Sequence, residues 1–250
     1  MSVSSKIKKV LLKILYILMP IKPWRRSLKS AINGWKNNKI IFIKDGKEHV
    51  KKWYELCPKR VRVSFRGSDN VVKIELPFGK HKNCQHKIRI RMKGSHNTAY
   101  IHKNVSGKMS VFMHHSDQNY FEVGENTSMC DISVSLINNT CKIGKNCMLS
   151  NSIRIWGDGH AVLDYKTGKV LNVPKTPILV GDHVWLGERV TLTKGAQIPD
   201  DCIVGIASVV TKKFDKPHCV IAGSPALVKK EGISWDEEQP MALAEKIGEA

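Results

Sequence analysis

Written in sixes, residues 178–213 read ILVGDH VWLGER VTLTKG AQIPDD CIVGIA SVVTKK. Val180, Leu186, Leu192, Ile198, Val204 and Val210 recur at six-residue steps. Two residues before each stands Ile178, Val184, Val190, Ala196, Cys202 or Ser208, a column that is apolar or small. A period of six fits neither a helix nor a hairpin ladder. It fits a coil of three short faces, about eighteen residues per turn, whose apolar columns point into a prism. Parallel strands stacked in successive coils then satisfy the backbone.

Upstream the step persists more loosely. Ile143, Leu149 and Ile155 repeat it, with Cys141, Cys147 and Ile153 two residues earlier. Further back a Gly-x-x-Asn-x-x-x-Ile form recurs, as GWKNNKII at 34–41, GSDNVVKI at 67–74 and GSHNTAYI at 94–101, and LINNTCKI at 136–143 shares its Asn and Ile. Asn suits a tight corner because it tolerates a left-handed backbone. The expected organisation is one elongated domain over residues 31–235, with irregular coils at 31–155 and regular coils at 178–212. A tail at 236–250, short and helical, follows.

Between the two sets of coils lies GDGHAVLDYKTGKVLN, residues 157–172. Residues 157–177 read as an excursion that leaves after Ile155 and returns at Ile178. Gly157 and Gly159 are expected to let the chain turn sharply and place His160 at the prism edge.

The net charge of +19 is uneven. Residues 1–60 hold 16 Lys/Arg against 3 Asp/Glu, and the remaining chain holds 25 against 19. The N-terminal stretch KIKKVLLKILYILMPIKPWRR has an apolar part interrupted by Lys13 and stopped by Pro20. It is too short to span a bilayer and no small-residue cleavage site follows. A basic amphipathic helix over residues 1–30 is expected, suited to anionic lipid or to packing on protein. The charge alone suggests nucleic acid, but no nucleic-acid-binding motif supports it. Seven cysteines without a disulfide framework read as reduced, and Cys141, Cys147 and Cys202 as core residues. That suits a cytoplasmic protein, peripheral on the inner membrane face if the basic helix binds lipid.

Four segments, GDGHAVLDYKTGKVLN at 157–172, ILVGDHVWLG at 178–187, IVGIASVVTKKF at 203–214 and IAGSPALVKK at 221–230, resemble the hexapeptide-repeat acyltransferases. The likeness is greatest to O-acetyltransferases of bacterial capsules and lipopolysaccharides. It covers roughly 140–235. The resemblance implies a mainly β fold, a left-handed parallel β-helix, and a homotrimer with active sites between subunits. It further implies acetyl-CoA as co-substrate, a saccharide acceptor and no metal.

Residue by residue, the resemblance makes His160 the general base. A sugar hydroxyl is a poor nucleophile, and an imidazole can take its proton and then protonate the leaving thiolate. Asp164, or else Asp158, would fix the ring tautomer. Trp185 and Gly187 in the returning coil, and Gly205, Ala207 and Ser208 beyond it, would pass the pantetheine arm. Lys212 and Lys213 would meet the CoA phosphates as point charges. Gly223-Ser224-Pro225-Ala226 resembles the family's Gly-Asn-Pro-Ala turn, with Ser in place of Asn. Neighbouring His114 and His115 point to opposite faces of a strand, a poor metal pair. His183 is expected to face solvent at a corner.

The function these residues imply is acetyl transfer from acetyl-CoA to a hydroxyl of a cell-surface polysaccharide or its precursor. N-acetylation of an amino sugar and a non-catalytic β-helix scaffold are the alternatives. A γ-class carbonic anhydrase shares the prism, but it needs three converging histidines, and the regular coils lack a His-x4-His pair.

Overall fold

A computed structural model describes residues 36–50, 61–79, 87–157, 159–172 and 176–249. The helix expected over 1–30 lies outside the described residues. No helix among the described residues is long and apolar enough to cross a membrane.

The chain is mainly β and winds as a parallel solenoid. The first face stacks Lys39–Lys44, Val71–Leu76, Thr98–Ile101, Tyr120–Val123, Thr140–Ile143, Ile178–Val180 and Gln197–Ile198. The second holds Met148–Leu149, Trp185–Leu186, Ile203–Val204 and Cys219–Gly223. The third holds Val61–Phe65, Lys87–Met92, Ile153–Gly157, Thr191–Thr193 and Val209–Val210. Strands Ser106–Met113 and Ser128–Leu136 run from the second face into the third, bending between Gly107 and Lys108. A Cβ on Gly107 would collide with the Met129 carbonyl, which is why glycine stands at that bend.

Parallel partners give the coil lengths. In the regular part Leu179 pairs with Gln197, Trp185 with Ile203 and Thr191 with Val209, each eighteen residues apart. Upstream the steps shorten toward that value, from Lys39 to Val71, Val71 to Thr98, Thr98 to Tyr120 and Tyr120 to Thr140. The irregular motif spacing therefore records coils of unequal length on one continuous prism.

Alternation along each short strand fills the interior. Val72, Ala99, Phe121, Cys141 and Ile178 form one inward column, and Ile74, Ile101, Val123, Ile143, Val180 and Ile198 the next. All are buried. Burying an aliphatic side chain of this size stabilises by about 1.5–3 kcal/mol. Two hairpins break the parallel rule. Lys39–Lys44 pairs with Lys47–Val50 through an Asp45-Gly46 turn, and Cys219–Gly223 pairs with Ala226–Glu231. A helix at Pro240–Ile247 follows, ended by Gly248.

Each prism corner carries a column of left-handed residues. One contains Asn37, Asp69, His96, Gln118 and Asn138, the second Asn104, Asn126, Asn146, His183, Asp201 and His218, and the third Ser152, Arg189 and Ala207. Asn, Asp and His tolerate this conformation better than other side chains.

The asparagines of the upstream motif do something other than the expected turning. The residue before each one is left-handed, and the asparagine itself faces inward. Asn70, Asn97, Asn119 and Asn139 are buried. The Oδ1 of Asn38 accepts from the Asn70 side-chain amide at 2.9 Å, that of Asn70 from Asn97 at 2.9 Å, and that of Asn97 from Asn119 at 2.8 Å. The Oδ1 of Asn119 accepts the backbone N–H of Asn139 at 3.0 Å. At the first step the motif frame is off by one. Asn38 aligns with Asn70, while Asn37 turns the corner and donates to Asp69 at 2.8 Å. A ladder satisfies one buried amide with the next, which is what burial of a polar group requires.

Candidate active site

The coil that should take eighteen residues between Cys141 and its partner takes thirty-seven, because Cys141 pairs with Ile178. The surplus leaves the third face at Gly157 and rejoins at the first. It forms a hairpin. Leu163 bridges Val170, and the Leu171 N–H donates to the Val162 carbonyl at 2.8 Å.

The Asn ladder ends at this loop. The Asn139 side-chain amide donates to the carbonyls of Gly157 and Thr176, each at 3.2 Å. Lys194 Nζ donates to the Asn172 carbonyl at 2.6 Å, and the Gly195 N–H to Thr176 at 3.2 Å. Gly157 is not left-handed, and a side chain there would make the Leu136 methyl shift. A Cβ there would lie 2.7 Å from Leu136 Cδ2 and 3.3 Å from Asn139 Nδ2. Gly159 has open space around it.

His160 is exposed on the hairpin. Asn172 fixes its backbone, donating to the His160 carbonyl at 2.8 Å while its Oδ1 accepts the Val162 N–H at 2.9 Å. Asp164 builds the hairpin turn. Its Oδ1 accepts from the Thr167 hydroxyl at 2.8 Å, the Thr167 N–H at 2.8 Å and the Lys166 N–H at 3.1 Å. The Thr167 hydroxyl and the two N–H groups hold its carboxyl below the usual range. That oxygen serves the turn, and no hydrogen bond joins Asp164 to His160. Asp158 lies outside the described residues.

Trp185, Gly187 and Gly205 come together on the second face. With Met148, Ser150 and Ile206 they line a groove of about 840 Å³. Trp185 Nε1 donates to Ser150 Oγ at 3.4 Å. Glycine at 187 keeps the groove floor thin, since a Cβ would sit 2.8 Å from the Ile206 nitrogen and 2.9 Å from the Val204 oxygen. Ile206 is 61% exposed beside it, an apolar surface without cover.

The remaining residues expected to hold the donor are dispersed. Ala207 is an exposed corner residue with φ 56°. Ser208 is fully buried, and its Oγ accepts the Gly223 N–H at 3.1 Å. Its column faces the prism interior, so its side chain cannot touch a ligand in the groove. Lys212 lies over the Phe214 ring at 5.5 Å, and Lys213 pairs with Asp215 at 2.7 Å. Lys213 bridges Gln197 on the first face, away from Trp185.

His183 is covered. Its ring stacks on Trp235 at 4.4 Å, its Nδ1 meets Asp201 at 2.8 Å, and the Trp235 indole donates to its carbonyl at 2.8 Å. Trp235 lies fifty-two residues downstream, beyond any local pattern. His114 shares a hydrogen bond with Ser135 at 3.0 Å, and His115 is exposed. Among the described residues no three His, Cys, Asp or Glu side chains form a metal-binding group. The Asn139 clasp went unanticipated, although the Asn-Asn pair of LINNTCKI marks its place.

No protein-family model matches the chain. Polysialic acid O-acetyltransferase of Neisseria meningitidis is 37% identical over 148 residues, 58% of this chain and 68% of that protein. Galactoside O-acetyltransferase of Escherichia coli K12 is 29% identical over 118 residues, 45% of this chain and 57% of that protein. The chain thus spans little more than half the length of the second relative. Among solved structures, a polysialic-acid-specific acetyltransferase superposes with TM-score 0.64 at 22% identity, covering 82% of this chain and 88% of that one. That likeness is one of fold. A parallel solenoid with eighteen-residue coils, one coil opened by a histidine hairpin, and a relative matched over two thirds of its length place this chain in the hexapeptide-repeat O-acetyltransferase family.

Proposed function

We propose that the protein transfers an acetyl group from acetyl-CoA to a hydroxyl of a cell-surface polysaccharide or its precursor. The observation that carries this reading is the thirty-seven-residue step from Cys141 to Ile178, which spends a hairpin on displaying His160. A scaffold needs no such hairpin. A relative named for O-acetylation of polysialic acid supports a polysaccharide acceptor.

His160 takes the proton of the acceptor hydroxyl as its oxygen attacks the thioester carbonyl. The C–S bond breaks, and the imidazolium returns the proton to the thiolate sulfur. No acyl-enzyme is needed. The Trp185–Gly187–Gly205 groove takes the donor, with bare backbone beside the pantetheine arm. In this reading Lys212 and Lys213 serve the donor's phosphates through a neighbouring chain or not at all, because Lys213 lies on another face of its own chain. Asp158 takes the tautomer-fixing role in preference to Asp164, whose carboxylate is engaged in the turn.

The hairpin bearing His160 and the Trp185 groove lie on different parts of the prism, and among the described residues no hairpin residue lines that groove. We infer a trimer of left-handed β-helices in which His160 of one chain completes the groove of the next. The hairpin's uncovered apolar side chains support this. Tyr165 is fully exposed, Leu163 is 57% and Leu171 56% exposed. The basic residues 1–30 would hold the assembly against anionic lipid at the inner membrane face.

Calorimetric titration with acetyl-CoA tests the reading, beside turnover assays of wild type and His160→Ala. One donor site per chain in both proteins, with turnover in the wild type alone, is the expected result. A folded, trimeric wild type that binds no acetyl-CoA overturns it.

A further inference from the structure

The outward side chains of the first and third faces differ in how their charges are satisfied. On the first face cations meet acids. Lys73 pairs with Glu48 at 2.8 Å, His102 lies between Glu75 at 3.3 Å and Glu122 at 3.0 Å, and Lys142 reaches Glu122 at 3.6 Å. Burial pushes the carboxyls of Glu75 and Glu122 upward, but the Tyr100 and Tyr120 hydroxyls and His102 outweigh it and hold both below the usual range.

On the third face the pairing register puts Arg62, Arg89, Ser110, Ser133 and Arg154 in one outward column, and Ser64, Arg91, Phe112, Ser135 and Trp156 in the next. Arg62, Arg91 and Arg154 are exposed and Arg89 half-buried. Among the described residues none of the four arginines has an acidic partner. Arg91 lies instead over the Phe112 ring, 5.4 Å from its centre. With coils about 4.8 Å apart, Arg62 and Arg154 stand roughly 19 Å from each other along the prism axis. The second column ends at Trp156, 49% exposed, one residue before the hairpin that carries His160 begins.

We propose that this face is the track for an anionic polysaccharide acceptor, a polymer whose carboxylate or phosphate groups lie along the arginine columns and whose end or branch reaches His160. The inference rests on the acetyl-transfer reading and names its substrate class. Guanidinium forks recognise carboxylates and phosphates in a bidentate fashion. Trp156 and Phe112 offer flat apolar surface to the C–H faces of sugar rings. A small acceptor would need one cation near His160. Arginines on three coils, Arg62 and Arg89 on adjacent ones and Arg154 roughly 14 Å further along the axis, match a repeating ligand. Continuity with the hairpin favours an acceptor over nucleic acid or a lipid surface, neither of which has a reason to end there.

The test measures binding of the full chain to polysialic acid as a carboxylated probe, with dextran, anionic phosphatidylglycerol vesicles and single-stranded DNA beside it. Wild type is compared with Arg89→Ser/Arg154→Ser, with acetyl-CoA binding measured on the same samples. The expected result is polysialic acid binding that falls at least tenfold in the double variant, weakens as salt is raised in the wild type, and has no counterpart with dextran. Acetyl-CoA binding stays unchanged. Equal polymer affinity in both proteins, no salt dependence in the wild type, or a loss of vesicle or DNA binding in the double variant as large as the loss of polymer binding overturns the track. Arg62→Ser/Arg154→Ser, at two exposed positions, decides if the first double variant folds poorly. Loss of acetyl-CoA binding in the wild type sinks the acetyl-transfer reading instead, and the polymer arm still judges the track.

Discussion

Asn139 clasps the loop through Gly157. Its buried side-chain amide donates to the Gly157 carbonyl and, with its other hydrogen, to Thr176, so one asparagine ties both stems of the hairpin to the last rung of an internal ladder. Asn139→Ala leaves two loop carbonyls without that donor, while the backbone N–H to Asn119 stays. A loss of about 1–3 kcal/mol in unfolding free energy is expected. Turnover should fall while acetyl-CoA affinity holds, because the Trp185 groove lies elsewhere. Chemical denaturation and the split between kcat and donor Kd check this.

His160 and Asp164 should separate in mutagenesis. Removing a general base lowers kcat by about 10²–10⁴-fold, and that is expected of His160→Ala. Asp164 acts through the turn, so Asp164→Asn, which keeps an acceptor oxygen for Thr167, should retain most activity. Asp164→Ala should lose more, together with protection of the hairpin amides from hydrogen exchange. A kcat loss in Asp164→Asn equal to that of His160→Ala would place Asp164 in the chemistry.

The groove floor admits no side chain at Gly187. Its Cβ would press on the Ile206 nitrogen and the Val204 oxygen, both backbone and unable to swing aside. Gly187→Ala is expected to destabilise by about 1–3 kcal/mol through overpacking and to weaken acetyl-CoA binding in a titration. Trp185→Ala should weaken that binding with a smaller effect on melting, since Trp185 is only half-buried.

Burial pushes the thiols of Cys141 and Cys147 up to about 12. Neither should react with a disulfide reagent in the native protein at pH 8, and both should react after unfolding. The folded pKa lies above the unfolded one, so their contribution to stability is complete below about pH 9. It is lost as pH rises from there toward 12. Melting temperature measured across that window should fall, and less so in a Cys141→Ala/Cys147→Ala variant relative to its own value at pH 7.

The six-residue step over 178–213 was enough to read three faces, inward columns and the excursion bearing His160. A constant coil length makes sequence spacing and spatial register the same thing, and apolar alternation marks the interior. Upstream that identity fails. Coils of unequal length put Asn38, not Asn37, beneath Asn70, and only strand pairing revealed that the asparagines face inward while their predecessors turn the corner. The same limit governed the site. Asp164 was chosen by motif position, yet a carboxylate three residues before a threonine finds its hydrogen bonds locally. Ser208 stood in a column already read as inward, and the structure keeps it there. Which outward side chains share a surface was decided by tertiary structure alone. Arg62, Arg89 and Arg154 have no regular spacing in the chain, and the parallel register brings them into one line because side chains at equivalent rungs of a coil must stack.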